Sequence, residues 1–221
     1  DSFTNTSNAA VNVVYTVVPV SAAGCQGNSF TVTVTVNPPI LINEVLSNYN
    51  GLNIACFGDT NASISLQVSG GTAPYRYSWT GPNGFSSTSP NLSNLAVGSY
   101  NLIITDAVNC ILAKTYEMRG PDPIAIAATI SNYIGFQISC KGGSDGVIDL
   151  NITGGNGGYQ IFWEGPGGFR SNLPKIEGLL PGKYEVTVID SKNCTLKQEY
   201  TLLAPDEFLI SPDDISVTQV S

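Results

Sequence analysis

The residues of this 221-residue chain best suited to chemistry are five cysteines, four of which form two matched pairs. Cys110 follows Cys56 at the same interval at which Cys194 follows Cys140. Histidine is absent, so a zinc site would need four cysteines drawn from different parts of the chain. We therefore predict the disulfides Cys56–Cys110 and Cys140–Cys194, which form in an oxidising compartment outside the cytoplasm.

The order of the predicted strands supports this pairing. If the strand that follows Cys56 starts at one end of a β-sandwich, we expect the strand before Cys110 to finish at that same end. Closing a loop of this length is worth about 4 kcal/mol in the chain-entropy model. Cys25 has no matching residue. It either pairs with a part of the parent protein outside this sequence or is a free thiol.

Acidic and amide side chains near these cysteines could supply oxygen ligands to Ca²⁺. The candidates are Asp59, Asn61, Asp106, Asp145 and Asp190. The alternative is that they are turn residues whose side chains bond their own backbone. Because the series differs between the two halves of the chain, our primary expectation is that no metal or cofactor is bound.

The aromatic residues are candidates for contacts with a ligand. Trp79 and Trp163 could stack against sugars, but their place in alternating strands favours a core position. Phe85 and Phe169 lie in Gly-Pro-x-Gly-Phe loops and are better candidates for exposed contacts. For these two residues the alternative is that the ring folds back over the end of the sandwich.

These residues recur because the shift that carries Cys56 onto Cys140 superimposes one module on another without a gap. Recurring positions mark a folding unit, since residues that set turns or fill a core recur in each copy, whereas solvent-exposed residues vary between copies. Examples are Pro39 and Pro123, Ile54 and Ile138, Trp79 and Trp163, Tyr100 and Tyr184, and Asp106 and Asp190. Tandem copies of a small module favour reach and repeated display over a catalytic pocket.

Short alternating strands separated by turn residues predict an all-β chain of tandem immunoglobulin-like sandwiches. In the second module we predict strands near 146–153, 158–164, 173–179, 183–190 and 195–203, besides the opening one. Gly98-Ser99-Tyr100 and Gly182-Lys183-Tyr184 resemble tyrosine corners. Since proline restricts its own backbone and its neighbour's, we expect the junctions to favour an elongated rod.

Four segments follow from this pattern. Residues 1–38 form the terminal hairpin of a truncated domain, with strands at 11–17 and 30–36. Residues 39–122 and 123–206 are the two sandwich modules, and 207–221 is the first strand of a further, truncated module.

Composition excludes several classes of function. A formal charge of −8 with 9 basic residues argues against nucleic acid and against anionic lipid surfaces. No apolar run is long enough to insert in a membrane. Without histidine the commonest general base is missing, and we expect no enzymatic activity.

The motifs of both modules together resemble the SprB repeat. In the second module they are the run from Cys140 to Ile148, Gly154-Gly155, Trp163, the Gly182–Tyr184 corner and the Asp190–Cys194 turn. The first module matches them but has Ala62 where the second has Gly146. The hairpin that ends at Val36-Asn37-Pro38 resembles the end of a PKD-like domain.

The resemblance implies a secreted, extracellular segment of a Bacteroidetes cell-surface adhesin, exported by the type IX system and used in gliding motility or attachment. Its partners would be neighbouring repeats and a surface polysaccharide or another cell-surface protein. The alternative is a carbohydrate-binding accessory module of a secreted polysaccharide-degrading enzyme.

Overall fold

The computed structural model describes residues 3–7 and 9–207, and the regular secondary structure of this part consists of β-strands and two short 3₁₀ turns. It divides into two compact units, residues 1–120 and 121–221. The further module predicted at 207–221 lies outside the described residues from 208 onward.

The first unit begins with a two-stranded antiparallel hairpin. Strands β1 (Val11–Val17) and β2 (Phe30–Val36) pair along their whole length, from Val11 opposite Val36 to Val17 opposite Phe30. The structure confirms both predicted strands. Most of their side chains are exposed, and a hairpin of this kind is marginal by itself.

The rest of the first unit is a seven-stranded sandwich. One sheet has the order β3-β4-β7, and the other has the order β6-β5-β8-β9. The strands are β3 (Ile40–Leu46), β4 (Ala62–Gly70), β5 (Arg76–Thr80), β6 (Ser86–Ser87), β7 (Leu92–Leu95), β8 (Gly98–Thr105) and β9 (Ile111–Met118).

The second unit repeats this topology. Its sheets have the orders β10-β11-β14 and β13-β12-β15-β16. The strands are β10 (Ala125–Ile130), β11 (Gly146–Thr153), β12 (Gln160–Gly165), β13 (Phe169–Ser171), β14 (Lys175–Leu179), β15 (Gly182–Ile189) and β16 (Thr195–Leu202). The predicted all-β, immunoglobulin-like sandwich is confirmed in both copies.

Each core is built from the inward residues of alternating strands. Trp79 and Trp163 are both 1% exposed, so the structure confirms their predicted core position. Their indole nitrogens donate to the carbonyl oxygens of Ser89 at 2.9 Å and Leu173 at 3.0 Å. A buried indole N–H needs such a partner, because leaving it unpaired costs free energy.

The tyrosine corners are present in both sandwiches. Tyr100 donates its hydroxyl to the carbonyl oxygen of Ala96 at 3.2 Å, and Tyr184 donates to Leu180 at 3.0 Å. Both bonds reach back four residues to the turn that precedes the strand. They fix the start of β8 and of β15 against that turn.

Glycine is required where β4 and β11 end. Gly70 and Gly154 have φ of +69° and +76°, and a Cβ at either position would collide with the carbonyl oxygen of Pro39 or Pro123. The close approach lets the opening strand of each module lie against the end of its neighbour. This explains why the same Gly-Gly pair recurs in both copies.

Candidate functional site

Each sandwich has two ends, which carry different candidate residues. In the first, residues 47–61 join β3 to β4 at one end, here called the loop end, and residues 106–110 join β8 to β9 at the turn end. Strand β9 leads from the turn end to the loop end, where the Arg119 carbonyl oxygen accepts the amides of Asn53 at 2.8 Å and Ile54 at 3.1 Å.

The second sandwich has the same geometry. Strand β16 starts just after Cys194 at the turn end and finishes at Leu202. At the loop end the Leu203 carbonyl oxygen accepts the amides of Gln137 at 2.9 Å and Ile138 at 3.1 Å. Cys140 follows directly, so Cys140 and Cys194 lie at opposite ends of one sandwich.

The predicted disulfides Cys56–Cys110 and Cys140–Cys194 are wrong. Cys56 and Cys194 are disulfide-bonded, whereas Cys110 and Cys140 are free thiols, so each predicted pair combines a bonded residue with a free one. Cys25 is exposed and forms no disulfide with another cysteine of the described residues.

Strand direction explains the error. Strand β5 runs toward the loop end, so β8, which pairs with it antiparallel, begins there and finishes at the turn end. An eight-residue strand such as β9 spans roughly 25 Å. A disulfide needs two Cα atoms within about 7 Å, so Cys56 and Cys110 cannot bond within one sandwich.

Asp106 organises the turn end of the first sandwich. Its carboxylate is buried and accepts the backbone amides of Thr72 at 2.9 Å, Val108 at 3.0 Å and Cys110 at 2.8 Å. Burial by itself would raise the pKa of this carboxyl, but the amide hydrogen bonds outweigh it and the net pKa is lowered.

Asp190 does the same in the second sandwich. It accepts the amides of Asn156 at 2.8 Å, Lys192 at 2.8 Å and Cys194 at 3.0 Å, and also the Asn156 side-chain amide at 2.9 Å. Desolvation by itself would raise the pKa of Asp190. The hydrogen bonds that it accepts from Asn156, Lys192 and Cys194 have the larger combined effect, so the net pKa is lowered. Asn109 and Asn193 complete these turns with φ of +65°.

The other candidate ligands lie at the loop ends. The Asn61 side-chain oxygen accepts the Ala55 amide at 3.1 Å, and its nitrogen donates to Asp59 at 3.1 Å. At the equivalent position the Asp145 carboxylate accepts the Ser139 amide at 3.1 Å. Hydrogen bonds from the Ser139 side chain and backbone lower the pKa of Asp145.

The five calcium candidates therefore do not form one cluster. Asp106 and Asp190 occupy the turn ends, whereas Asp59, Asn61 and Asp145 occupy the loop ends. The side-chain oxygens of four of them accept backbone amides, as expected of turn residues, whereas Asp59 accepts the side-chain amide of Asn61. Residues 3–7 and 9–207 contain no group of three or more His, Cys, Asp or Glu side chains suited to a metal ion.

Phe85 and Phe169 are half-buried. Each ring packs edge-on against the corner tyrosine of its own sandwich, with centroid distances of 5.2 Å to Tyr100 and 5.5 Å to Tyr184. Of the two predicted alternatives, this placement agrees with the one in which each ring folds back over the end of its own sandwich.

An exposed aromatic that the sequence analysis did not single out lies in the middle of β12. Phe162 is 48% exposed on the outer side of the sheet β13-β12-β15-β16. It lies opposite Thr187 on β15, and Thr187 in turn lies opposite Lys197 on β16. The alternation of Phe162 with the inward Ile161 and Trp163 was the available signal.

Charged residues surround this ring. Arg170 pairs with Glu164 at 3.0 Å, and Lys197 pairs with Glu185 at 2.8 Å. Together with Asn172 they line a depression of about 560 Å³, and a smaller depression of about 310 Å³ continues beside Phe162 toward Tyr159. We call the two depressions the Phe162 trough.

None of the helical segments in the described ranges has the length and apolar character of a membrane-crossing helix.

Comparison with protein families identifies three segments. The model of the SprB repeat matches residues 52–84 and 137–168, and the model of a PKD-like domain matches residues 1–39. The resemblance proposed from the sequence motifs is thereby confirmed. SprB repeats are typical of cell-surface proteins. No family model of a catalytic domain is among these matches.

Among solved structures, the chain is similar to the crystal structure of DIP-gamma IG1+IG2. The two are 13% identical, and the match covers 77% of this chain and 99% of the other with a TM-score of 0.38. A comparison with curated proteins finds no match.

Proposed function

Because the chain carries two SprB repeats and a PKD-like domain, we propose that it is a segment of a secreted cell-surface adhesin. Its repeats serve as structural and adhesive modules in gliding motility or surface attachment. They hold a binding surface away from the cell.

The observation that carries this proposal is the close recurrence of one sandwich. The residues that set the fold recur, including both core tryptophans, both corner tyrosines and both buried turn aspartates. The solvent-facing residues differ, as Ser78 and Phe162 do at equivalent positions. Repetition of the scaffold with variation of its surface is expected of display modules.

Location on intact cells is the first test. Antibodies raised against this segment should label unpermeabilised cells that produce the parent protein, and external protease should remove the label. A strain with this segment deleted in frame should attach less well or glide less. Labelling seen only after permeabilisation would contradict the proposal.

Solution scattering tests the rod-like spacing role. A compact domain of this length has a radius of gyration of about 17 Å. We expect a clearly larger value for modules joined end to end. A radius of gyration as small as that of the compact domain would contradict the spacing role.

The domain content of the parent protein distinguishes the accessory-module alternative. An adhesin parent would carry many further repeats with a secretion domain, whereas an accessory module would be joined to a polysaccharide-degrading domain.

A further inference from the structure

We propose that the Phe162 trough binds a neutral polysaccharide chain, and that the second repeat has this site while the first does not. The inference rests on the proposed adhesin function, because that function places the trough at the cell surface. Its test uses the purified protein, so failure of the site would leave the surface location standing.

The shape of the trough suits an extended ligand. Its two depressions, of about 560 and 310 Å³, meet at Phe162 and Asn172 and follow the direction of β12. The larger lies within the size range of ligand sites. Both lie on the open outer side of a sheet, where a chain can pass across without entering a closed pocket.

The chemistry of the lining matches a sugar ring. A pyranose has one apolar face of C–H groups and a rim of hydroxyls. The exposed ring of Phe162 supplies an apolar plate for that face. Glu164 accepts hydrogen bonds, Arg170 donates them, and the amide of Asn172 does both, so each can bond hydroxyls around the ring.

The charge of the trough favours a neutral ligand. Glu164 and Glu185 are balanced by Arg170 and Lys197, and each carboxylate is already paired with a base. A polyanion would be repelled by the two carboxylates, and a polycation would be repelled by the two basic side chains. Neither kind of ligand would therefore gain net electrostatic binding energy on this surface. An uncharged polyhydroxy chain can donate hydrogen bonds to the carboxylates and accept them from the basic side chains.

The first repeat provides an internal comparison. The shift that relates the two copies replaces Phe162 with Ser78, Arg170 with Ser86 and Lys197 with Ala113. The first sandwich forms the same two sheets without these side chains, so the fold does not require them. The aromatic plate and its charged surround are therefore additions to a scaffold that is complete without them.

The experiment is affinity electrophoresis of the intact protein through native gels that contain β-1,4-glucan, β-1,4-mannan or alginate. We expect retardation by at least one neutral polymer and none by alginate, a polyuronate. Phe162→Ala and Phe162→Ser should weaken binding by about tenfold or more, as loss of a central aromatic contact does. Ile103→Ala is the matched control, since it removes an exposed apolar side chain from the outer face of the first repeat.

The triple variant Ser78→Phe, Asn101→Glu and Ala113→Lys transfers the aromatic ring together with the equivalent of the Glu185–Lys197 pair, and it should add retardation in the Phe162→Ala background. Equal retardation of wild type and Phe162→Ala would overturn the proposal. Retardation by alginate alone, or by none of the three polymers, would also overturn it. Circular dichroism of each variant verifies that the fold is retained.

Discussion

Tyr116 donates its buried hydroxyl to a carboxylate oxygen of Glu44 at 3.1 Å. Among residues 3–7 and 9–207, the hydroxyl of its counterpart Tyr200 has no hydrogen-bond partner, because Ala128 stands at the position equivalent to Glu44. Both rings lie beside the core tryptophan of their repeat, with centroid distances of 5.6 and 6.0 Å. The equivalent tyrosine hydroxyls of the two repeats thus differ in their hydrogen bonding.

Removing each hydroxyl should therefore have different effects. Tyr116→Phe should lower the free energy of unfolding by about 1 kcal/mol, because it breaks a hydrogen bond and leaves Glu44 without this donor. Tyr200→Phe should be neutral or stabilising, since it removes an unpaired buried oxygen. Thermal and urea denaturation of the two variants measure the difference. Equal destabilisation by both would show that a partner such as a buried water satisfies Tyr200.

Thiol mapping tests the cysteine geometry. Under native, non-reducing conditions a maleimide should label Cys25 and Cys140, which are exposed, and more slowly Cys110, which is half-buried. Cys56 and Cys194 should be labelled only after reduction. Peptide mass mapping should find no fragment that links Cys56 to Cys110 or Cys140 to Cys194. Recovery of either linked pair would contradict the placement of the two cysteines at opposite ends.

Acid should weaken the turn ends. The lowered folded-state pKa of Asp190 means that the ionised carboxylate stabilises the fold above about pH 4, and that this contribution is lost as the pH falls through the folded-state value. Asp190→Asn should cost about 2 kcal/mol at neutral pH, because it weakens several charge-assisted hydrogen bonds. Urea denaturation at pH 7 and pH 3 measures both effects.

The matched control for this prediction is Asp149→Asn, an exposed carboxylate on β11. It should leave the stability at neutral pH nearly unchanged, because its side chain is exposed. An Asp190→Asn variant whose stability falls with acid as steeply as that of the wild type would contradict the assignment.

The glycine at the end of β11 should resist substitution. Gly154→Ala should lower the free energy of unfolding by more than Gly167→Ala does. Both residues have positive φ, but only at Gly154 does a Cβ collide with backbone. We expect about 1 kcal/mol for Gly167→Ala from backbone strain alone, and a larger loss for Gly154→Ala. Thermal denaturation compares the two, and equal losses would show that the Pro123 contact adjusts freely.

The sequence by itself determined the elements of this fold. Alternation of apolar and polar residues identified both strands of the hairpin and those of the second repeat except the short β13 (Phe169–Ser171), because side-chain direction in a strand has a period of two. The corner tyrosines and the turn aspartates could also be identified from the sequence, because their positions recur in both modules. Tyr184 and Asp190 bond groups that lie near them in the chain or in the repeated motif.

Only the tertiary structure decided which ends and faces these residues share. The equal spacing of the two cysteine pairs says nothing about whether β8 runs toward or away from the loop end, and strand direction places Cys56 and Cys110 a full strand apart. The Phe162 trough likewise draws Arg170, Glu185 and Lys197 from three other strands. Their proximity is set by the register between strands, which alternation within one strand does not contain.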